Sequence, residues 1–208
     1  MIIKICISPS SQVWNPCTEG DKEQDHMRVI AEKLNEKLSN DNRFEPYLLP
    51  ALEGDENSKL YQAVDLSKNW GCAYHLCLHS DGGYAGSGAS GRYQSTGGLN
   101  FGKPIFDEMC ALTPWTDMSL AQTTSLYELK ATNAVAFLLE VSFHDQPLQA
   151  KWMHESVDAI VEAIYKGICQ GCGVSYRETL DWQQKYETLW KQYYAFRQAV
   201  IDQTNIFI

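Results

Sequence analysis

Two residues in this chain pair a reactive side chain with a position where buried chain usually meets solvent. His79 follows the apolar run Cys72 to Leu78 and stands directly before Ser80-Asp81-Gly82-Gly83. An imidazole placed there faces a loop, where it can exchange a proton near neutral pH or bind a metal. Glu140 closes a second apolar run, Val135 to Leu139. A carboxylate at the end of a buried strand is costly unless it is solvated, paired or used. Glu23 opens a helical segment, and an acid in a first turn already favours the helix dipole, so spacing alone assigns it no ligand role. His144 lies beside Asp145, and the pair reads equally as a loop ion pair or as a second contact to a substrate.

Two motif-like strings carry less. Gly86-Ser87-Gly88-Ala89-Ser90-Gly91 matches the GxGxxG dinucleotide pattern, but no acidic residue follows at the required spacing and the glycines lie inside a longer glycine-rich stretch. Cys169-Gln170-Gly171-Cys172 is a lone CxxC at a helix end, which favours neither a zinc ribbon nor a redox centre.

The elements that position these residues follow from periodicity. Ile2 to Ile7, Tyr47 to Leu49, Cys72 to Leu78 and Ala134 to Leu139 read as strands, the last two as runs buried on both faces of a parallel sheet. Met27, Ile30, Ala31, Leu34 and Leu38 recur at helical spacing, as do Leu60, Ala63 and Val64, the segment 103–112, and Trp152 to Ile168 within one helix over 148–168. The glycine-rich stretch 81–102 is expected to be one long, mobile loop. Alternating strands and helices predict an α/β fold, a mostly parallel twisted sheet flanked by helices on both faces, plus a long C-terminal helix. Ligands of such sheets bind beyond the carboxyl ends of the strands, which directs attention to Ser8 to Gln12, His79 and Glu140.

The tail differs in kind. Ser175 to Glu178 reads as a capping box, and Trp182, Tyr186, Leu189, Tyr193, Phe196 and Val200 follow in a heptad seam. The expected division is a domain over 1–172 and an amphipathic helix over 173–208, either packed back on the domain or pairing two copies as a homodimer.

Composition narrows the partners. The chain has 17 Lys and Arg against 26 Asp and Glu, a net charge of −9, and no basic cluster to displace counterions from phosphates, so nucleic acid is not an expected partner. No run approaches the roughly 18 apolar residues of a membrane span, and the first strand leaves no room for a signal peptide. An odd count of 7 cysteines, scattered through apolar segments, suits free thiols in a reducing compartment.

Three blocks together resemble the catalytic domain of zinc-dependent N-acetylmuramoyl-L-alanine amidases, over about residues 1–170. Leu138-Leu139-Glu140-Val141-Ser142-Phe143-His144-Asp145 is similar to that family's strand with its catalytic Glu. Leu76-Cys77-Leu78-His79-Ser80-Asp81 resembles the strand that ends in a zinc-binding His, and Lys22-Glu23-Gln24-Asp25 the segment that supplies a zinc-binding Glu. The family's first strand leads into a second zinc-binding His, where this chain has Ser8-Pro9-Ser10-Ser11-Gln12. Gln12 is the replacement the resemblance suggests, with His26 and His144 as alternatives.

The resemblance implies Zn²⁺ on Glu23, His79 and Gln12, with Glu140 as the proton acceptor in hydrolysis of a peptidoglycan amide. His144, Tyr84 and Tyr93 are then expected to contact substrate, the tyrosines stacking on sugar faces. A related zinc peptidase and a catalytically inactive cell-wall-binding protein are the competing readings. As an endolysin the protein would stay cytoplasmic until released, and as an autolysin it would be secreted by a route the sequence does not display.

Overall fold

The structure is a computed structural model that describes residues 2–83, 86–116, 118–177 and 182–204. Its strands are β1 (Ile3–Pro9), β2 (Phe44–Leu48), β3 (Tyr74–Asp81), β4 (Ser90–Tyr93), β5 (Ser119–Gln122) and β6 (Val135–Phe143). They form one sheet in the order β2-β1-β3-β6-β4-β5. Neighbours run parallel except β4, which pairs antiparallel with β6. The parallel strands β1, β3 and β6 occupy the middle, which is why their sequences are nearly continuous apolar runs. Pro46 removes a ladder donor and sits in the edge strand β2, where that loss is tolerated.

The helices are α1 (Glu23–Ser39), α2 (Glu56–Trp70), α3 (Thr96–Leu112), α4 (Tyr127–Ala131), α5 (Pro147–Glu155), α6 (Val157–Gly171) and α7 (Trp182–Thr204). Ile5, Ile7, Leu76, Leu78, Phe137 and Leu139 point to the face covered by α1, α3 and α6, and these residues form the main core. Cys6, Cys77, Ala136 and Leu138 point the other way, onto α2 and α4. Helices on both faces of a mostly parallel sheet are what the alternation of elements predicts. Local chemistry sets the helix ends. Asp55 caps α2 by accepting from the Ser58 amide at 2.7 Å, and Gly71 closes it in the left-handed region at φ 70°.

Two sequence expectations are corrected. The glycine-rich stretch 81–102 is not one loop, because it contains β4 and the first turns of α3. Its glycines act largely as close-packing positions. A Cβ on Gly102 would lie 1.9 Å from the Phe137 ring, and one on Gly98 2.5 Å from the Ala136 carbonyl oxygen. On α6, Gly167 and Gly171 meet the α3 backbone in the same way, with virtual Cβ contacts of 2.4 Å to Ile105 Cα and 2.3 Å to the Phe101 carbonyl oxygen. Second, the helix expected over 148–168 is divided at Ser156, whose φ −111° and ψ 15° leave the helical basin while the apolar period continues across the break. The short elements β4, β5 and α4 show no readable period in the sequence.

The chain divides into two units, Met1–Tyr176 and Arg177–Ile208. Within the second, α7 stacks Tyr186 on Trp190 with centroids 5.9 Å apart, and Tyr194 meets Trp190 edge-on at 5.1 Å. The capping-box acid Glu178 lies outside the described residues. No described helix is long and apolar enough to cross a membrane.

The α3–α6 crossing gives a sharp stability test. Gly167→Ala forces a methyl into backbone that cannot yield, so we expect a loss on the order of 1–3 kcal/mol. Gly97→Ala meets Val135 only at 3.5 Å and should leave the melting temperature unchanged or raise it. Equal effects of the two substitutions in thermal denaturation would remove the close-packing account.

Candidate active site

Register brings the first two site residues together. His79 of β3 is the cross-strand partner of Glu140 of β6, and Ser90 of β4 is the partner of Glu140 on its other side. Directly paired residues share a face of the pleat, so the three side chains emerge side by side near the carboxyl end of the sheet. A bulge then shifts the β3–β6 register between His79 and Asp81. It turns Ser80 toward His144, whose Nδ1 lies 2.9 Å from the Ser80 carbonyl oxygen and 3.0 Å from its hydroxyl.

Glu23 reaches the same place from the start of α1. Its Oε1 lies 2.9 Å from His79 Nδ1 and accepts from the Ser80 amide at 3.3 Å. Its Oε2 accepts from Asn15 Nδ2 at 2.7 Å, and the same Asn15 amide donates to Gln12 Oε1. Asn15 thus ties Gln12 to Glu23 on one side of a cavity of about 470 Å³, lined by Gln12, Glu23, His79, Glu140 and His144 among others. Sequence reasoning missed Asn15 and Ser90. Asn15 lies in the segment after β1 and Ser90 opens the short strand β4, and no spacing rule singles them out.

The charges are arranged as opposed pairs. Burial alone would raise the Glu23 carboxyl, but its bonds from His79 and Asn15 hold it below the ordinary range. Burial would lower His79, yet Glu23 and Glu140 together carry it up to about 9. Glu140 moves the opposite way, pushed up to about 7 by burial and by Asp81 and Glu23 against the pull of His79. Its Oε2 is buried and has no hydrogen-bond partner among the described residues, and the Ser90 hydroxyl opposite shares that condition. An unpartnered carboxylate oxygen poised near neutrality is equipped to take a proton and give it back.

His79, Glu23 and Gln12 offer an imidazole, a carboxylate and an amide oxygen to one cavity, a donor set that fits a divalent cation. Ser11, at the position of the resembled family's missing histidine, lines a different cavity beside Arg28 and Leu49. Of the alternatives to Gln12, His144 lines this cavity, but His26 does not and faces Asp21. Tyr93 was expected to stack on sugar from a loop. The structure places it instead in β4, opposite Phe137 and packed against the core, away from the cavity lining. Tyr84 lies outside the described residues.

The family profile described as N-acetylmuramoyl-L-alanine amidase matches residues 5–170. Among solved structures, the chain is similar to the catalytic domain of CwlV, an N-acetylmuramoyl-L-alanine amidase from Bacillus (Paenibacillus) polymyxa var. colistinus, with 16% identity and a TM-score of 0.73 over 84% of this chain and 100% of that one. It is similar to an N-acetylmuramoyl-L-alanine amidase from Clostridium difficile 630 at 17% identity and TM-score 0.74, covering 83% and 97% of the two chains. The catalytic domain of the CD27L endolysin, which targets Clostridia difficile, aligns at 17% identity and TM-score 0.69, covering 84% and 99%. At these identities the likeness is one of fold. No curated protein matches the chain by sequence.

The His79–Glu23 pair can be measured directly. In chelator-treated protein, NMR titration of the His79 ring is expected to give a midpoint near 9, falling toward the ordinary range in Glu23→Gln. A histidine raised in the folded state stabilises fully below its unfolded value, so this contribution persists below pH about 6.5 and disappears as pH rises through 9. An unshifted midpoint for His79 would contradict the pairing.

Proposed function

The chain belongs to the N-acetylmuramoyl-L-alanine amidase family, and from that premise we propose that it hydrolyses the amide joining the lactyl carbonyl of N-acetylmuramic acid to L-alanine in peptidoglycan, with Zn²⁺ as cofactor. The observation that carries this reading is Glu140, a carboxylate with a buried, unpartnered oxygen beside His79 on a cavity lined also by Glu23 and Gln12.

Hydrolysis needs a water oxygen to bond the lactyl carbon, the C–N bond to break, and one proton to pass from water to the departing amine. Glu140 performs the transfer at Oε2, taking the proton as the water attacks and returning it to the nitrogen of L-alanine. Burial prepares that atom, because it raises the carboxyl to about 7 and leaves both protonation states accessible near neutrality. Bound at His79, Glu23 and Gln12, Zn²⁺ would supply Lewis acidity, lowering the pKa of water and offsetting charge on the carbonyl oxygen.

The remaining residues orient. Asn15 occupies the outer oxygen of Glu23 and the carbonyl of Gln12, which fixes the direction of both. His144 must donate from Nδ1 to the Ser80 carbonyl oxygen, so in its neutral form Nε2 keeps a lone pair, beside Gly82 at the cavity. That lone pair suits an N–H donor of the substrate's peptide. Gly82 leaves room for it, since a Cβ there would lie 2.6 Å from Nε2.

Digestion of purified peptidoglycan tests the reading, with released ends identified by mass spectrometry. New amino-terminal L-alanine is expected from the native protein. It should fall by at least about 100-fold in Glu140→Ala and after chelation. Peptide fragments cut elsewhere would indicate a zinc peptidase. Wall binding without any released ends, on several wall types, would leave a binding protein that retains the fold.

A further inference from the structure

A second convergence of metal-type donors stands just outside the active site. Between Asn15 and Glu23 the chain makes a tight turn, closed by the Pro16–Lys22 bridge, by the Cys17 amide on the Asp21 carbonyl oxygen at 2.8 Å, and by Gly20 at φ 99°. Two side chains of this turn, Cys17 and Asp21, meet His154 of α5. Cys17 Sγ lies 3.7 Å from His154 Nε2, and His154 Nε2 lies 3.3 Å from Asp21 Oδ1. All three donor atoms fall within 4.8 Å of one another. His26 adds a second imidazole from α1, with Nδ1 3.9 Å from Asp21 Oδ2 and its ring centroid 4.2 Å from that of His154.

The His154–Asp21 spacing of 3.3 Å and the Cys17–His154 spacing of 3.7 Å approach those of a coordination shell. Tetrahedral bonds of about 2.0 Å to nitrogen or oxygen and 2.3 Å to sulfur place neighbouring donors roughly 3.3–3.6 Å apart. The hydrogen bonding points the same way. His26 is 3% exposed, yet among the described residues its Nε2 makes no hydrogen bond, and neither does Asp21 Oδ1, although His154 Nε2 stands 3.3 Å from it. Buried polar atoms are nearly always paired, and two orphans in one cluster mark a site that lacks a component. Two other thiol–imidazole clusters, Cys6-Cys72-His75 and His75-Cys77-Glu128, differ in this respect. There His75 is bonded to Ser67 and Glu128, and Glu128 also accepts from Ser8 and Cys77, so those groups satisfy one another.

We propose that Cys17, Asp21 and His154, with His26 as the fourth donor, bind a structural Zn²⁺ distinct from the catalytic site. Thiolate with imidazole selects zinc over magnesium or calcium. Binding replaces the thiol proton, which leaves to solvent as the Zn–S bond forms. His154 is partly exposed, at 32% of its side chain, and gives the ion a way in. The consequence is positional. The ion fastens the turn to α5, and the turn's two flanks are Asn15 and Glu23, which orient the active site. The same turn also holds His144, through the Thr18 amide on the His144 carbonyl oxygen at 3.0 Å.

Cobalt distinguishes this site from the active site, because His79, Glu23 and Gln12 contain no sulfur. The metal-stripped full chain, titrated with Co²⁺, should develop a sulfur-to-cobalt charge-transfer band at one ion per chain, and His79→Ala should keep it. Cys17→Ser and His154→Gln should lose it while circular dichroism stays native. No band in the native protein, or an undiminished band in Cys17→Ser, would overturn the site. Thermal denaturation provides a second readout in the His79→Ala background. Zn²⁺ should raise the melting temperature there, and adding His154→Gln should abolish the rise, whereas no rise in His79→Ala itself counts against the proposal.

Discussion

Parallel pairing of β3 with β6 places His79 beside Glu140, and the rest of the candidate site is arranged around that pair. Each group alone is unfavourable in its position, the imidazole because burial opposes its charge and the carboxylate for the same reason. Together with Glu23 they form a chain of opposed charges in which His79 stays high, Glu23 low and Glu140 near neutrality. A slip of one residue in the β3–β6 register would send Glu140 to the other side of the sheet and dissolve the arrangement.

That register is held from both faces, and glycine is the means on one of them. Gly98 and Gly102 let α3 settle against β6, and Gly167 and Gly171 let α6 settle against α3. Close helix approach leaves little freedom to slide, and so the strand that carries Glu140 is held under two layers. On the other face, Glu128 of α4 bonds His75 at 2.8 Å, four residues before His79 on the same strand. A buried pair of that kind also opposes slippage, because a shifted strand would strand the charge without its partner.

The turn from Asn15 to Glu23 links two residues of the candidate site. An amide oxygen such as that of Gln12 is a weaker metal donor than an imidazole, and Asn15 fixes its direction by bonding both Gln12 and Glu23. A site with fewer strong donors depends more on the direction of those it keeps. This gives a physical reason for the turn to be anchored at Cys17, Asp21 and His144 as well as by its own backbone.

Much of this was legible from local pattern. Apolar runs of strand length marked β1, β3 and β6, helical spacing marked α1, α2 and α6, and a titratable residue after the apolar runs of β3 and β6 marked His79 and Glu140. These are statements about neighbours in sequence, and period and burial cost are properties of neighbours. What the sequence alone did not reveal depends on distance across the fold. The glycines of 81–102 looked like a loop because their partners, Phe137 and Ala136, are remote in sequence and only the packed structure shows that no Cβ fits. Asn15, Ser90 and the His26–His154 contact were hidden for the same reason. Residue type and period determine which elements form and which side chains are costly to bury. Only tertiary contact decides which of those costly groups meet, and in this chain their meeting makes the site.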